Sequence, residues 1–567
     1  MKNILFVFIA LIAACSATAQ QWGLYTLYAP TNGTQTYLID TAGTTYKTWS
    51  HSSSKKTGFS VYLAQGDTLV RTVAYSSNQL SGVAALTGEI QKVLWNGTIV
   101  WDYVHSSSTY CLHHDICPMP NGNVLMIAYE TKTGAEAVQA GCSSSTVIWP
   151  EKIIEVKPTG ATTGTIVWEW HLWDHLCQTH DATKDNYVSS IIDNPQLMNI
   201  NYNPTKDWWH MNGIDYNPTL DQIAVTSRAM NEFFIIDHST TTAEAAGHTG
   251  GNGGRGGDFL YRWGNPESYG ATGTANYDVV HYPTWIGSDN PNYPNHICTF
   301  NNNGGAGGKS CVDVILPPYN GYNYSYTPGQ VIPPSTYAYR HTSTYNTPMN
   351  GSAQALPNGN FMNLICSSNY LYEINSSGTT LWSKTVSGQP SNAVRYSKCY
   401  VRGLTASASA SSTIVSAGSP VDLYSSVISP TEASPTYTYV WSSGDNTQNA
   451  TVYPAGNTTY IVTITNTAIG CSDTASVTIQ VTTGFSNADY SNPYTIYPNP
   501  TTGILNIGEE IPEKDFTVTL TNQLGKILLK EKNSKSLNLS SLNDGIYFLS
   551  VQTEMKTYKT YKVILAK

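Results

Sequence analysis

The chain has 567 residues, too many for one ordinary domain, and this length predicts about two to four domains. Only 12% of the residues are charged, whereas Gly (45), Tyr (39) and Trp (14) are abundant, a profile typical of an exported all-β protein with many turns. The formal net charge of −9 argues against nucleic acid or an anionic membrane surface as a partner.

The first twenty residues predict a secretory signal peptide. Lys2 precedes an apolar run from Ile4 to Ile12, and Ala17-Thr-Ala19 offers small residues for cleavage. The run is too short to span a bilayer, and no later stretch is long and apolar enough to do so. A lipoprotein signal ending at Cys15 is the alternative. Residues 1–20 are therefore excluded from the fold, and the mature protein is expected to be secreted or held at the cell surface.

Nine of the ten cysteines remain after removal of Cys15, and export makes disulfides permissible. The odd number leaves at least one thiol unpaired or in an intermolecular bond. No CxxC spacing occurs, so the cysteines do not indicate a zinc framework. Cys111 with Cys117, and Cys298 with Cys311, are close enough in sequence to pair, but the sequence does not decide the pairing.

Residues 21–404 contain irregular repeats of short strands, in which an Asn-Gly turn, an apolar strand and an acid-anchored strand follow one another. The repeated segments are 97–101, 164–168 and, loosely, 378–382 for Gly-Thr-Ile-Val-Trp, and 120–123 and 357–360 for Pro-Asn-Gly-Asn. Asn-Gly between apolar runs is a strong hairpin signal because both turn positions tolerate positive φ. Four short strands per repeat predict a β-propeller, and six blades fit the length. A β-helix is the alternative, although its repeats are shorter and lack hairpins.

Residues 405–483 are rich in Ser and Thr, nearly free of charge, and alternate as short strands, which predicts a small β-sandwich. The segment resembles the polycystic-kidney-disease-like (PKD) Ig modules of secreted bacterial proteins, with Trp441 as a core residue. A passive spacer is the preferred interpretation.

The last segment, residues 484–567, combines Tyr497-Pro-Asn-Pro500, Gly545-Ile-Tyr547 and a terminal Lys567. It resembles the C-terminal sorting domain of the type IX secretion route of Bacteroidetes. The resemblance implies a second small β-sandwich whose partner is the type IX machinery. The predicted fold is thus all-β, a six-bladed β-propeller followed by two small β-sandwich domains.

Three histidines occupy equal positions in successive repeats of the predicted propeller. They are His114, His210 and His281, and Gly351 stands at the same position in a fourth repeat. Equal positions in a radially repeated fold face the same axis. We therefore expect the three imidazoles to converge on one central cavity, although a single histidine near a strand end is usually structural.

An ordered set of motifs between about residues 110 and 385 resembles the arylsulfotransferase family of PAPS-independent sulfotransferases. The motifs are His113-His-Asp115 before Pro-Asn-Gly-Asn, His210-Met-Asn212, Thr226-Ser-Arg228, Asp258 to Pro266, His281 before Trp285-Ile, and His296 to Asn303. The resemblance implies a six-bladed propeller that moves a sulfuryl group from a phenolic sulfate ester to a phenol through a sulfohistidine. It implies neither a cofactor nor a metal.

The resemblance also assigns roles to individual residues. His281 is the position of the nucleophile, His210, Asn212 and Arg228 would hold the sulfuryl oxygens, and His114 is a supporting histidine. The expected substrate-binding residues are His113, Ser352 and Arg262.

These residue types suit the chemistry independently of the family. A sulfuryl group in transfer spreads negative charge over three oxygens, so positioned cationic donors lower the barrier. The guanidinium of Arg228 offers a planar fork for such oxygens. Neutral imidazole is a competent nucleophile near pH 7, and a covalent intermediate predicts ping-pong kinetics.

One departure from the family concerns the neighbours of His281. Val280 and Tyr282 stand where the family carries polar residues, which removes candidates for orienting the imidazole. Two other functions stay open: a non-catalytic propeller that serves as an adhesin or ligand-binding module, and an aryl sulfate hydrolase. The glycine-rich segment 250–257 is interpreted as a flexible loop, because no strand–loop–helix pattern surrounds it.

Overall fold

The computed structural model describes residues 23–64, 66–83, 85–401, 404–428, 436–467, 470–482, 495–508, 515–553 and 560–567. The predicted signal peptide and its lipoprotein alternative lie outside the described residues. Strands form nearly all of the regular structure, which confirms the all-β class. The helical segments described are α1 (Gly134–Gln139), α2 (Thr242–Ala245) and 3-10 turns at Leu172–Asp174, Pro266–Tyr269 and Cys366–Ser368.

Six antiparallel four-stranded sheets lie between residues 25 and 396. The first contains β1 (Tyr25–Pro30), β2 (Gln35–Ile39), β3 (Thr45–Ser50) and β28 (Pro390–Tyr396). The second contains β4 (Thr57–Ala64), β5 (Thr68–Ala74), β6 (Gly88–Val93) and β7 (Ile99–Val104). The third contains β8 (Tyr110–Pro118), β9 (Val124–Glu130), β10 (Glu151–Pro158) and β11 (Gly164–His171).

The other three sheets have the same antiparallel order. The fourth contains β14 (Met211–Asn217), β15 (Gln222–Ser227), β16 (Glu232–Asp237) and β17 (Tyr261–Trp263). The fifth contains β18 (Val280–Trp285), β19 (Ile297–Gly305), β20 (Lys309–Ile315) and β23 (Tyr339–Thr342). The sixth contains β24 (Ser352–Ala355), β25 (Phe361–Ile365), β26 (Tyr370–Ile374) and β27 (Thr380–Thr385). Insertions form the strand pairs β12 (Leu176–Cys177) with β13 (Met198–Asn199) and β21 (Tyr319–Asn320) with β22 (Asn323–Tyr324).

The repeated motifs occupy equivalent places in these sheets. Each Gly-Thr-Ile-Val-Trp copy runs into a fourth strand (β7, β11 or β27), and the acid-anchored strands β10, β16 and β26 are all third strands. Gly122 and Gly359 close the β8–β9 and β24–β25 hairpins with the same φ of +84°, which a side chain would disfavour. The predicted hairpin turns are therefore confirmed.

The inner strands form a closed ring. One strand of each sheet contacts the next sheet in the order β28, β4, β8, β14, β18, β24, and β24 contacts β28 again. Strand β28 pairs with β1, with Leu27 opposite Val394, so the end of this segment completes its first sheet. Closure of this kind is characteristic of a propeller and removes open edges between the first and last sheets.

Amide side chains bridge the inner strands at two junctions through both a donated and an accepted hydrogen bond. Asn392 of β28 accepts from the Val61 backbone N–H of β4 at 3.1 Å and donates to its C=O at 3.3 Å. Gln354 of β24 makes the same double bridge to Arg395 of β28, at 2.8 and 3.1 Å. Each amide thus supplies the partners that an unpaired strand backbone lacks.

Carboxylates bridge two further junctions and a tyrosine a third. Asp115 Oδ2 of β8 accepts from Ile214 N of β14 at 3.2 Å, and Asp215 Oδ2 of β14 accepts from Trp285 N of β18 at 2.7 Å. Tyr62 OH of β4 donates to Asp115 Oδ1 at 2.8 Å. Burial raises the pKa of Asp115 to about 6 and that of Asp215 to about 7.

The last junction, between β18 and β24, has a weaker bridge from Thr284 Oγ1 to Ala353 O at 3.4 Å. Apolar side chains fill the space outside the ring, with one buried cluster between each two adjacent sheets. Side-chain hydrogen bonds and six apolar layers therefore hold the same six junctions.

The cysteine pairs considered from the sequence are wrong. Cys111 and Cys117 lie opposite Tyr129 and Leu125 of β9, and these four positions at about 3.3 Å per residue separate them far beyond disulfide reach. Cys298 and Cys311 lie on paired strands but three positions out of register. Cys399 and Cys471 form the disulfide among the described residues, and the other seven described cysteines are free thiols.

The residues after 404 form smaller sheets. Residues 405–482 contain a sheet of order β29–β31–β33 and one of order β30–β35–β34–β32. Their strands are β29 (Thr405–Ala410), β30 (Ile414–Ser416), β31 (Val421–Ile428), β32 (Tyr437–Trp441), β33 (Asn449–Val452), β34 (Thr458–Asn466) and β35 (Cys471–Thr482). Trp441 is buried, as expected of a core residue, and the PKD-like assignment stays a prediction.

The C-terminal segment contains a sheet of order β36–β37–β40 and one of order β39–β38–β41–β42. Their strands are β36 (Ile496–Tyr497), β37 (Ile504–Ile507), β38 (Phe516–Thr521), β39 (Ile527–Lys532), β40 (Ser536–Asn538), β41 (Gly545–Thr553) and β42 (Tyr561–Leu565). The described residues divide into two compact units. The first contains residues up to Ala408 with those of Ser425–Gln448 and Ile461–Ala475, and the second contains those of Ser409–Tyr424, Asn449–Tyr460 and Ser476–Lys567. The domain boundaries predicted after residues 20, 404 and 483 stay predictions.

Replacement of Leu27 by Ala tests the closure of the first sheet. Leu27 is fully buried on β1 beside β28, so we expect Leu27→Ala to lower the free energy of unfolding by about 2 to 5 kcal/mol. Urea unfolding followed by tryptophan fluorescence measures it. Leu316→Ala is the control, because Leu316 is 46% exposed and its loss should cost less than about 0.5 kcal/mol. Equal losses in both variants would contradict the assigned burial.

Candidate active site

The three in-phase histidines lie in or directly before three consecutive inner strands. His114 and His281 belong to β8 and β18, and His210 directly precedes β14. The ring centroids of His114 and His210 are 4.7 Å apart. Burial, followed by the charges of His210 and Arg228 among others, lowers the pKa of His114 and His281. The structure therefore brings these four cationic or potentially cationic groups together.

Irregular backbone accompanies each histidine. The pairing of the inner strand with its neighbour shifts between Leu112 and Ile116, between Met211 and Gly213, and between His281 and Thr284. His114, His210 and Tyr282 have positive φ values of 46°, 53° and 54°, which side-chain-bearing residues seldom adopt. Bulges of this kind re-aim side chains, and backbone strain of this kind concentrates at functional sites.

Asn302 fixes the ring of His281. The Nδ2 amide of Asn302 donates to the carbonyls of Thr347 (2.7 Å) and Asn350 (2.8 Å), which leaves Oδ1 to face His281 Nδ1 at 2.6 Å. Because an amide oxygen only accepts, Nδ1 of His281 must carry the hydrogen. Burial lowers the pKa of His281 to about 3, so the ring is neutral near pH 7 with its lone pair on Nε2. Nε2 has no hydrogen-bond partner within the described part of the chain.

His114 ends a buried chain of three titratable groups. Its Nδ1 lies 2.8 Å from Nδ1 of His113, whose Nε2 lies 2.6 Å from Glu151 Oε2. Glu151 Oε1 accepts from the backbone N–H of Met211 at 2.8 Å. Burial raises the pKa of Glu151 well above its usual range and lowers that of His113 to about 3. The pair is therefore a neutral hydrogen bond, in which Glu151 donates and the hydrogen of His113 Nδ1 points to His114.

His210 has a carboxylate partner instead. Its Nδ1 lies 2.7 Å from Asp207 Oδ2, and Tyr129 OH donates to Asp207 Oδ1 at 2.9 Å. Burial opposes ionisation of Asp207, but the hydrogen bond and charge of His210 outweigh it and lower the pKa of the carboxyl. The hydrogen of His210 Nδ1 is held by this carboxylate, which leaves Nε2 on the far side of the ring.

Asn212 and Arg228 differ in how many of their side-chain hydrogen-bonding groups are left available to a ligand. Asn212 donates through Nδ2 to Val280 O at 2.8 Å and accepts from Thr226 Oγ1 at 2.7 Å, so its amide is largely used to hold β18 beside β14. The backbone N–H of Arg228 donates to His210 O at 3.0 Å. Its guanidinium is exposed and makes no side-chain hydrogen bond among the described residues, so its donors are available to an anion.

A small cavity lies at the centre of the ring of inner strands. His114, Asn212 and His281 line it, whereas His210 and Arg228 do not. Its volume is about 20 Å³, little more than one water position. The lining residues are Phe59, His114, Asp115, Asn212, His281, Tyr282, Asn350, Gly351, Ser391 and Asn392. The space admits a few atoms of a reacting group but not an aromatic ring.

The three predicted substrate-binding residues do not line the cavity. His113 is buried behind His114. The hydroxyl of Ser352 accepts from Ala393 N at 3.1 Å and links β24 to β28, while its neighbours Asn350 and Gly351 line the cavity. Arg262 lies on the outer strand β17, where it is buried and paired with Glu232.

Sequence reasoning missed the residues that orient the histidines. Asn302 lies on the neighbouring strand β19, and supplies the polar partner that Val280 and Tyr282 do not. Asp207 and Glu151 carry no local motif. The available signals were the spacing of three residues between Asp207 and His210 and the place of Asn302 within the motif from His296 to Asn303.

Comparison with known families gives two matches. Residues 13–244 match the family Arylsulfotransferase (ASST), and residues 495–566 match the Secretion system C-terminal sorting domain. The first match includes His113, His114, His210, Asn212 and Arg228 and ends before His281. The chain is thus an exported protein that carries an arylsulfotransferase-family domain, and its sorting domain places it at the cell surface or outside the cell. Both resemblances expected from the sequence are confirmed.

Solved structures offer only distant likenesses. A protein of unknown function from Bacteroides caccae is 9% identical to this chain and has a TM-score of 0.38. The match covers 65% of this chain and 98% of the chain of that protein. The periplasmic gluconolactonase of Pseudomonas aeruginosa is 10% identical, with 66% and 99% coverage and a TM-score of 0.33. TM-scores below 0.5 at these identities say nothing about the activity of this chain. No curated protein matches.

Among the described residues, no helix combines the length and the apolar character needed to cross a membrane.

The low pKa of His281 predicts an effect of pH on stability. With a pKa of about 3 in the folded state and about 6.5 when unfolded, His281 takes up a proton on unfolding below pH 6.5, so acidification destabilises the fold until pH falls to about 3. We expect the loss of unfolding free energy between pH 7 and pH 5 to be smaller in His281→Gln than in the unaltered protein by about 2 kcal/mol. Urea unfolding at both pH values measures it. His180→Gln, at an exposed position, should leave the pH dependence unchanged.

Proposed function

We propose that the protein is an aryl sulfotransferase that moves a sulfuryl group from a phenolic sulfate ester to a phenol through a sulfohistidine on His281. The observation that carries the proposal is the state of His281. Its ring is neutral, buried and oriented by Asn302, and its Nε2 lone pair has no protein partner among the described residues. An unprotonated imidazole nitrogen in a site with cationic donors is what attack on a sulfuryl group requires.

In the first half of the proposed reaction, His281 Nε2 attacks sulfur and the bond between sulfur and the phenolic oxygen breaks. Negative charge on the three sulfuryl oxygens is stabilised by the guanidinium of Arg228 and by His210, both of which help to lower the pKa of His281. Arg228 is exposed and free to bind, so it would meet the sulfate before the group enters the cavity.

The departing phenolate needs a proton when its basicity is high. His114 presents an Nε2 hydrogen, because the hydrogen of His113 occupies the other side of its ring. As His114 gives up this proton, Nδ1 receives one from His113, and His113 Nε2 receives one from Glu151. Glu151 ends as a carboxylate that accepts from His113 and from Met211 N.

The second half reverses these steps. An acceptor phenol gives its proton to His114 Nε2, and the chain through His113 returns one to Glu151. The phenol oxygen forms the new bond to sulfur while the bond between sulfur and His281 Nε2 breaks. No proton is gained or lost overall. The volume of about 20 Å³ implies that the aromatic rings of donor and acceptor stay outside the cavity.

Replacement of His281 by Ala tests the nucleophile. With 4-nitrophenyl sulfate as donor and phenol as acceptor, we expect acceptor-dependent nitrophenol release, and a fall of about a thousandfold or more in His281→Ala. His341→Ala is the control, because His341 lies on the outer strand β23 and should leave the rate unchanged.

Other outcomes of this assay have defined meanings. Release that does not depend on the acceptor would support the hydrolase, and absence of release from a panel of aryl sulfates would support the ligand-binding propeller. Full activity of His281→Ala would overturn the nucleophile assignment.

Replacement of Glu151 by Gln tests the proton chain. Glutamine keeps the hydrogen bonds to Met211 and His113 but cannot supply a proton. We expect kcat/KM for phenyl sulfate, whose leaving group is basic, to fall by about tenfold or more, and kcat/KM for 4-nitrophenyl sulfate, whose leaving group needs little protonation, to change by less than about twofold. In ping-pong kinetics this parameter reports the first half-reaction alone.

Glu169→Gln on the outer strand β11 is the matched control and should leave kcat/KM for both donors unchanged. If the role of Glu151 were purely structural, kcat/KM would fall equally for both donors. That result would contradict the proposed proton transfer from Glu151 through His113 to His114.

A further inference from the structure

A second group of histidine and carboxylate side chains lies outside the candidate active site. His175, in the insertion after β11, meets His248 and Asp258, which flank the glycine-rich segment 250–257. One ligand atom from each of the three side chains lies within 4.8 Å of the other two. The side chains of His175 and Asp258 are buried, whereas that of His248 is 59% exposed.

The two ring nitrogens of His175 face different partners. Its Nε2 lies 2.8 Å from the carbonyl of Ala245, which only accepts, so Nε2 carries the hydrogen. The other ring nitrogen, Nδ1, lies 2.8 Å from Asp258 Oδ1 and is the nitrogen left to bind a metal ion.

His248 approaches the same oxygen from the exposed side. Its Nδ1 lies 2.7 Å from Asp258 Oδ1. Two imidazole nitrogens and one carboxylate oxygen therefore converge, which is a donor set that zinc binds. A metal-ligating histidine usually donates its other N–H to a carbonyl or carboxylate, as His175 does to Ala245.

The surrounding packing holds His175 in this orientation. The ring of Trp170 stacks on that of His175, with the ring centroids 5.5 Å apart and an interplanar angle of 3°. Trp170 Nε1 also donates to Gly257 O at 2.7 Å. A Cβ at Gly257 would lie 2.5 Å from His175 Nε2, so the glycine lets the loop approach the ring. The segment interpreted from the sequence as a flexible loop is thus seated against His175.

We propose that His175 Nδ1, His248 Nδ1 and Asp258 Oδ1 bind a divalent zinc ion, with water as the fourth ligand on the exposed side. Bonds of about 2.0 to 2.2 Å in a tetrahedron place ligand atoms about 3.3 Å apart, so the two short contacts need to open by only about half an ångström. The ion would fasten the glycine-rich segment to the insertion after β11. This site is independent of the proposed sulfuryl transfer, for which no metal is invoked.

Zinc titration of the full chain tests the proposal. Untagged protein, first dialysed against a chelator, is titrated with zinc chloride by calorimetry. We expect one equivalent to bind, and affinity to fall by about tenfold or more in His248→Ala and in Asp258→Asn. His248 is largely exposed, so its removal leaves the core intact. His180→Ala, an exposed histidine of the same insertion, should bind as the unaltered protein does.

Thermal unfolding gives a second readout. Zinc should raise the Tm of the unaltered protein and of His180→Ala, the chelator should reverse the rise, and His248→Ala should show little change. Absence of zinc binding by the unaltered protein, or equal affinities in His248→Ala and His180→Ala, would overturn the proposal.

Discussion

The hydrogen bonds between inner strands are the constraint on which the rest of this structure depends. Inner strands of adjacent sheets lie side by side without a β-ladder, yet their backbone groups are buried and need partners. Side chains of the inner strands supply them, with Asn392 and Gln354 as two-way bridges and Asp115 and Asp215 as acceptors. Because these bridges have fixed lengths, they set the spacing of the ring and leave only a small space at its centre.

The chemistry of the centre follows from this closeness. The histidines in β8 and β18 and directly before β14 cannot withdraw from one another or reach bulk water, so desolvation keeps His114 and His281 neutral. Each ring is then fixed by a different partner: a histidine, a carboxylate and an amide, respectively. Donors that are already oriented need no reorganisation when charge develops on a bound group.

The sequence predicted those parts of the molecule that repeat. Period-two strands, Asn-Gly turns and recurring motifs gave the all-β class, the order of strands within a sheet and the convergence of His114, His210 and His281, because each depends on local pattern or on repeat phase. Contacts made across sheets left no such pattern. Asn302 orients His281 from an adjacent strand through a bond that no spacing reveals.

Two further differences have the same cause. Ser352 has the expected residue type, but its hydroxyl accepts a hydrogen bond from Ala393 N and so joins β24 to β28, where the ring of inner strands closes. Arg262 carries the expected charge but sits on an outer strand, where Glu232 neutralises it. Residue type and order along the chain could be read directly, whereas the direction of a side chain depends on its three-dimensional neighbours.

The amide partner of His281 has a consequence for the lifetime of a modified ring. If Nε2 becomes bonded to sulfur while Nδ1 keeps its hydrogen, the ring carries a positive charge. Asn302 can accept that hydrogen bond but can neither remove the proton nor neutralise the charge. A carboxylate in its place would stabilise the charged ring and make it a resting state. With an amide, the adduct stays activated, so the fold favours passing the group on over storing it.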